Sequence, residues 1–99
     1  MPLEVYKQHK ARTDLLEIWL YTAAKWGAEQ ADHYLDELER AMQRLGANTN
    51  LGTDASEVRP GYRRLIAGKH RVFYIVSDDR ISIVRVLHPR MDVEAELDD

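Results

Sequence analysis

Four arginines and a histidine in the second half of the chain are the residues best suited to chemistry. Arg63, Arg64, Arg71 and Arg85 fall in strand-like runs, and His88 closes the last of them. An arginine fork binds phosphate or carboxylate through two parallel hydrogen bonds, and an imidazole titrates near neutrality. Metal-free RNA cleavage by a 2′-hydroxyl needs such a set, with positive charge at the phosphoryl transition state and a proton carrier beside it. Gripping an acidic protein segment needs the same arginines and no chemistry at all. The residues leave both uses open.

Other chemistries lack their residues. The absence of cysteine removes disulfides, thiolate zinc sites and a thiol nucleophile together. Ser56, Ser77 and Ser82 lie in no G-x-S-x-G elbow, and no glycine run cradles a phosphate. His9, His33, His70 and His88 have neither H-E-x-x-H nor zinc-finger spacing. His33 with Asp36 and Glu37 reads as solvated helix surface, and Asp78-Asp79 as turn chemistry. No metal and no cofactor is expected.

Charge is unevenly spread. The formal net charge is −3, yet residues 57–90 carry 8 basic and 3 acidic side chains, and residues 91–99 carry 5 acidic and no basic ones. A basic region within an acidic chain suits docking of an anionic partner. No apolar run approaches the roughly 20 residues that span a bilayer, and the N-terminus lacks a signal-peptide core. A soluble cytoplasmic protein without membrane contact is the expectation.

The elements that must position these residues follow from periodicity. Leu3–Lys7 alternates like a half-buried strand. Ala11, Leu15, Ile18, Trp19, Thr22 and Trp26 form one helical stripe, with Asp14 and Glu17 near its start and Gly27 as its left-handed stop. Ala31, Tyr34, Leu35, Leu38, Ala41, Met42 and Leu45 form a second stripe, which Gly46 is expected to end. Ala47–Ser56 reads as a loop, and Arg59-Pro60-Gly61-Tyr62 as a type II turn. Tyr62–Ile66, His70–Val76 and Arg80–Leu87 are strand-like, and two-residue separators predict an antiparallel meander.

These elements give an α+β chain of order β-α-α-β-β-β. Its helical hairpin packs on one face of a mainly antiparallel four-stranded sheet, with Trp19 and Leu38 buried between the layers. Strict alternation puts Arg71 with Phe73 and Ile75, and Arg85 with Ile81, Ile83 and Leu87. Both faces are apolar, so a partner is expected to cover the face without helices. Residues 1–99 make one domain, with an acidic tail over about 92–99 that leaves the sheet at Pro89.

Six pieces in order carry a family resemblance. They are Ala11-x-x-Asp14-Leu15-x-x-Ile18, then Tyr21, Trp26-Gly27-x-x-Gln30-Ala31-x-x-Tyr34, Asn50-x-Gly52 before Pro60-Gly61-Tyr62-Arg63, His70-x-x-Phe73-Tyr74, and Val86-Leu87-His88-x-x-Met91-Asp92. The chain resembles the RelE/ParE toxin superfamily, and within it the ParE branch of bacterial type II toxin–antitoxin systems. The resemblance implies a toxin that inhibits DNA gyrase and is neutralised in a hetero-oligomer by a ParD-like antitoxin, with no direct specific DNA binding. Arg63, Arg64, Arg71, Phe73 and Arg85 would then face the antitoxin, and His88, Arg90, Met91 and Asp92 the target. RelE-type relatives instead cleave mRNA on the ribosome, and Arg71, Arg85 and His88 would be the catalytic set in that case. A third possibility is a member that binds antitoxin with little toxicity. Thr49 stands where the family loop often has proline.

Overall fold

The computed structural model describes residues 2–97. A short strand β1 (Glu4–Lys7) leads into helices α1 (His9–Trp26) and α2 (Ala28–Ala47). Strands β2 (Thr53–Asp54), β3 (Arg63–Ala67), β4 (His70–Val76) and β5 (Arg80–Leu87) follow, and a short helix α3 (Val93–Leu97) ends the described chain. The sheet has five strands in the order β1-β5-β4-β3-β2. β1 runs parallel to β5, and the other pairs are antiparallel.

The α+β layering follows the helical stripes. Leu38, Met42 and Leu45 of α2 and Ala11 of α1 are buried against Val72, Tyr74, Ile81, Ile83 and Val86 of the sheet. Gly27 separates the helices at φ +97°, a backbone that L side chains rarely adopt. The two-residue Gly68-Lys69 connection joins β3 to β4, with Gly68 at φ +57°. The type II turn is also present, since the Tyr62 N–H donates to Arg59 O at 3.1 Å and Gly61 has φ +84°.

Several expectations need correction. The sheet has a fifth strand, because Thr53 and Asp54 of the expected loop pair with Arg64 and Arg63. Two residues carry too little periodicity to be read as a strand. Trp19 is half-buried rather than enclosed, and its indole N–H donates to Asp32 at 2.8 Å, bridging α1 and α2. Trp26 closes its stripe 64% exposed.

Gly46 does not stop α2, which continues to Ala47. It is a close-approach glycine: a Cβ there would lie 2.5 Å from Leu3 O, and Leu3 N–H donates to Gly46 O at 2.8 Å. Alternation also fails in β5. The register passes from Phe73↔Arg85 to Tyr74↔Ile83, so Val84 is a bulge and the faces exchange there. Ile81, Ile83 and Val86 therefore face the helices, while Leu87 joins Phe73 on the opposite side.

Candidate functional site

Arg64, Arg71 and Arg85 gather on the sheet face that carries no long helix. Residues directly paired across strands share a face, so β3, β4 and β5 present Arg64, Phe73 and Arg85 in one row and Ile66, Arg71 and Leu87 in the next. The chain covers part of this face itself. Phe73, Leu87 and Ala55 are buried in a small cluster under Val58, Tyr62 and Val93. The expectation of a wholly uncovered second face is thus corrected, because the 55–62 loop and α3 fold across it.

The four arginines have different fates. Arg63 points to the helix side, donating from Nε to the Tyr74 hydroxyl at 3.2 Å and from Nη2 to Gly52 O at 2.7 Å. The Tyr74 hydroxyl also accepts from Gly52 N–H and donates to Thr49 O, which fixes the 49–52 loop. A Cβ on Gly52 would sit 2.4 Å from Arg64 O and 2.6 Å from that hydroxyl, a physical reason for glycine in the Asn50-x-Gly52 piece. Arg64 pairs with Glu57 at 2.7 Å and lies 5.5 Å over the Phe73 ring. Arg71 alone of the four has no hydrogen bond or ion pair among the described residues.

Arg85 is the most constrained. β1 ends opposite Ile83, which leaves the outer edge of β5 open beyond it. Asp14 of α1 fills that place. Its carboxylate accepts from Val86 N–H at 2.9 Å and from Arg85 Nε and Nη2 at 2.8 and 2.9 Å. The Arg85 side chain is 12% exposed, and the Asp14 fork holds its pKa above the usual arginine value. From the other side Arg85 donates to the backbone carbonyl and carboxylate of Glu96 in α3.

A titratable cluster lies on the helix side. The Tyr34 hydroxyl accepts from Lys69 N–H at 2.9 Å and contacts His70 Nδ1 at 2.7 Å. Burial, then the neighbouring His88 charge, pushes the His70 pKa down to about 4. The Tyr34 hydroxyl and Nδ1 share one hydrogen bond, whose donor is set by the imidazole tautomer. His88 meets His70 edge to face, with centroids 5.6 Å apart, and accepts Arg90 N–H at Nδ1. Burial is also the first cause of a raised Tyr34 pKa.

This geometry separates the residues that RNA cleavage would combine. Arg71 shares a face with Leu87, His88 packs against His70 on the other side, and Arg85 is held by Asp14. Beyond His88, Arg90 and Met91 are exposed, and Asp92 caps α3 by accepting Ala95 N–H at 3.4 Å. Sequence reasoning missed Asp14, Arg59 and Glu96. Only Asp14 left a signal, as an acid on an otherwise apolar stripe, 8% exposed in the fold. The described residues hold no group of three or more potential metal ligands, and no helix is long and apolar enough to cross a membrane.

Two helices on one face of a mainly antiparallel sheet define a class of small α+β fold shared with solved structures. A chain of the chromosomal ParDE system from P. aeruginosa superposes with a TM-score of 0.78 at 22% identity, over 87% of this chain and 95% of that one. The family described as the ParE toxin of type II toxin-antitoxin system, parDE, matches residues 5–93, and the chain belongs to that family. Toxin ParE1 of Mycobacterium tuberculosis is 48% identical over 88 residues, covering 88% of this chain and 90% of that protein. Toxin ParE1 of Caulobacter vibrioides is 40% identical over 88 residues, covering 89% and 91%.

Proposed function

We propose that this ParE-family toxin acts by binding DNA gyrase and is neutralised by a ParD-like antitoxin. The observation that carries a binding rather than a cleaving mechanism is the separation of Arg71, Arg85 and His88. General acid–base catalysis needs its groups within hydrogen-bond reach of one reacting centre. Here one arginine is locked in a carboxylate fork, and the other lies across the sheet from the histidine. The parDE description and the relatives named Toxin ParE support the same reading.

In this reading the antitoxin meets Arg71 and Arg64 with carboxylates and the margin of the Phe73 cluster with apolar side chains. Arg85 contributes by shaping that face, whereas Arg63 lies on the helix side and holds the 49–52 loop. His88, Arg90, Met91 and Asp92 form the chain's exit from the sheet and are the proposed target contacts. The test runs purified protein in a gyrase supercoiling and DNA-cleavage assay beside a ribosome-dependent mRNA-cleavage assay. Gyrase inhibition without mRNA cleavage is expected, and addition of the antitoxin encoded by the neighbouring reading frame should relieve it. Ribosome-dependent mRNA cleavage that disappears in a folded His88→Gln variant would replace this reading with the nuclease.

A further inference from the structure

The turn that carries the chain off the sheet is held by an imidazole. Arg90 N–H donates to His88 Nδ1 at 3.1 Å, and Met91 N–H donates to His88 O at 3.0 Å. A backbone N–H is always a donor, so Nδ1 is the unprotonated nitrogen of this ring, and the neutral imidazole carries its proton on Nε2. The turn is therefore closed in one protonation state only. A proton on Nδ1 would set two N–H donors against each other at hydrogen-bond distance.

The ring also has a seat. His70 and His88 lie one step beyond the Arg71↔Leu87 pair of β4 and β5, and their rings meet edge to face at 80° with centroids 5.6 Å apart. His70 in turn shares a hydrogen bond of 2.7 Å with the Tyr34 hydroxyl, which Lys69 N–H meets at 2.9 Å. Gly68 leaves room for that phenol, since a Cβ there would lie 2.7 Å from its oxygen. A chain of contacts thus runs from the β3–β4 turn through α2 to Arg90 N–H. Beyond the turn Val93 packs on the second face. Residues 88–93 therefore cross the end of the sheet, with His88 fastened on one side and Val93 on the other.

No group at this site is placed to neutralise an imidazolium. The charged and titratable groups around the pair are Tyr34 and Glu37 from α2, Asp14 from α1, and Lys69 and Arg90 beside the rings in the chain. The Asp14 charge reaches His70, but its carboxylate is already engaged by the Arg85 fork and Val86 N–H. No carboxylate among the described residues lies within ion-pair distance of either ring. Burial, then the His88 charge, holds His70 neutral down to about pH 4, so of the two rings His88 takes the first proton. Leaving the seat for water then relieves both the clash of donors and the desolvation of the charge.

We infer that His88, seated on His70, is a proton-operated latch on the 88–91 turn. With both rings neutral the turn is closed. One proton on His88 releases the ring and Arg90 N–H, and loosens the exit segment that carries Arg90 and Met91. The consequence for target binding rests on the proposed function, whereas the latch itself does not.

The experiment titrates the full chain, labelled with nitrogen-15, by NMR from about pH 8 to about pH 5, the range in which histidine changes charge. The His88 ring nitrogens should show an unprotonated Nδ1 at the start. The Arg90 amide should lose its hydrogen-bonded shift with the same midpoint as that ring, and its exchange protection should fall about fivefold, the equivalent of one hydrogen bond. The Val72 and Val86 amides in the sheet should keep their protection, which separates the latch from unfolding. His88→Gln, with no proton to take, should abolish the step. His70→Ala, which removes the seat, should move the Arg90 amide towards its low-pH position already at the start of the titration. An Arg90 amide unmoved by the titration of His88 or by His70→Ala, or a step of unchanged size in His88→Gln, overturns the inference. If either variant does not fold, the wild-type titration decides alone. Neither gyrase, ribosome nor antitoxin enters the assay, so its failure leaves the proposed function to its own tests.

Discussion

The two faces of the sheet are built from similar residues to different ends. On the helix side Val72, Tyr74, Ile81, Ile83 and Val86 meet Leu38, Met42 and Leu45, and the hydroxyl of the buried Tyr74 has partners for its proton and its lone pairs. On the second face Phe73 and Leu87 lie among Arg64, Arg71 and Arg85 under a loop and five helical residues. The first face stabilises the fold through apolar packing. The second holds a small apolar floor beside three arginines, a composition suited to docking an anionic partner.

The largest effects should come from breaking the helix side and its edge. Leu38→Ala should cost about 2–5 kcal/mol, and Asp14→Ala, which leaves Arg85 and Val86 N–H without their acceptor, about 3–5 kcal/mol in denaturant unfolding. Leu97→Ala on the second face should cost clearly less than either. Equal losses at Leu38 and Leu97 would erase the distinction between the faces. Tyr74→Phe comes next, at about 1–3 kcal/mol, because Gly52 N–H and the Arg63 guanidinium lose an acceptor while the ring still packs.

A smaller effect follows from His70. Its pKa of about 4 in the fold lies below the ordinary 6.5, so between those values the unfolded chain binds more protons than the folded one. Stability from the neutral ring is full above about pH 6.5 and declines as pH falls towards 4. Thermal melts across that window should show the slope, and His70→Gln should flatten it. Arg71→Ala should change stability least, within about 0.5 kcal/mol, since the side chain has no hydrogen-bond or ion-pair partner among the described residues to lose. It should instead slow antitoxin association at low salt and weaken the dependence of that rate on ionic strength, measured by stopped flow.

Legibility in the sequence divides along the same line as the faces. Sustained periods carried the helix side: the α2 stripe from Ala31 to Leu45 is the observed core stripe, and the meander and its turn fall where Gly61 and Gly68 put them. The second face depends on features without a period. The bulge at Val84 moves Arg85 and Leu87 away from Ile81 and Ile83, and no local pattern announces it. The Asp14–Arg85 pair joins residues 71 positions apart, so its trace was only an acid on an apolar stripe. Gly46 resembled a helix stop because close backbone approach and helix ending both select glycine. The acidic stretch after residue 91 offered no sign that Val93 and Leu97 would reach back to the sheet.

The central claim is that one face of the sheet builds the molecule and the other receives its partner. Hydroxyl-radical footprinting of the toxin alone and in complex with its antitoxin tests it most directly. Exposed apolar side chains mark both sides of the molecule: Ile66 on the second face with Met91 at the chain's exit, and Leu16, Tyr21 and Trp26 along α1. The account predicts that the complex protects Ile66 and Met91 while the three α1 residues react as in the free protein. Protection of Leu16, Tyr21 and Trp26 with Ile66 and Met91 unchanged would contradict it.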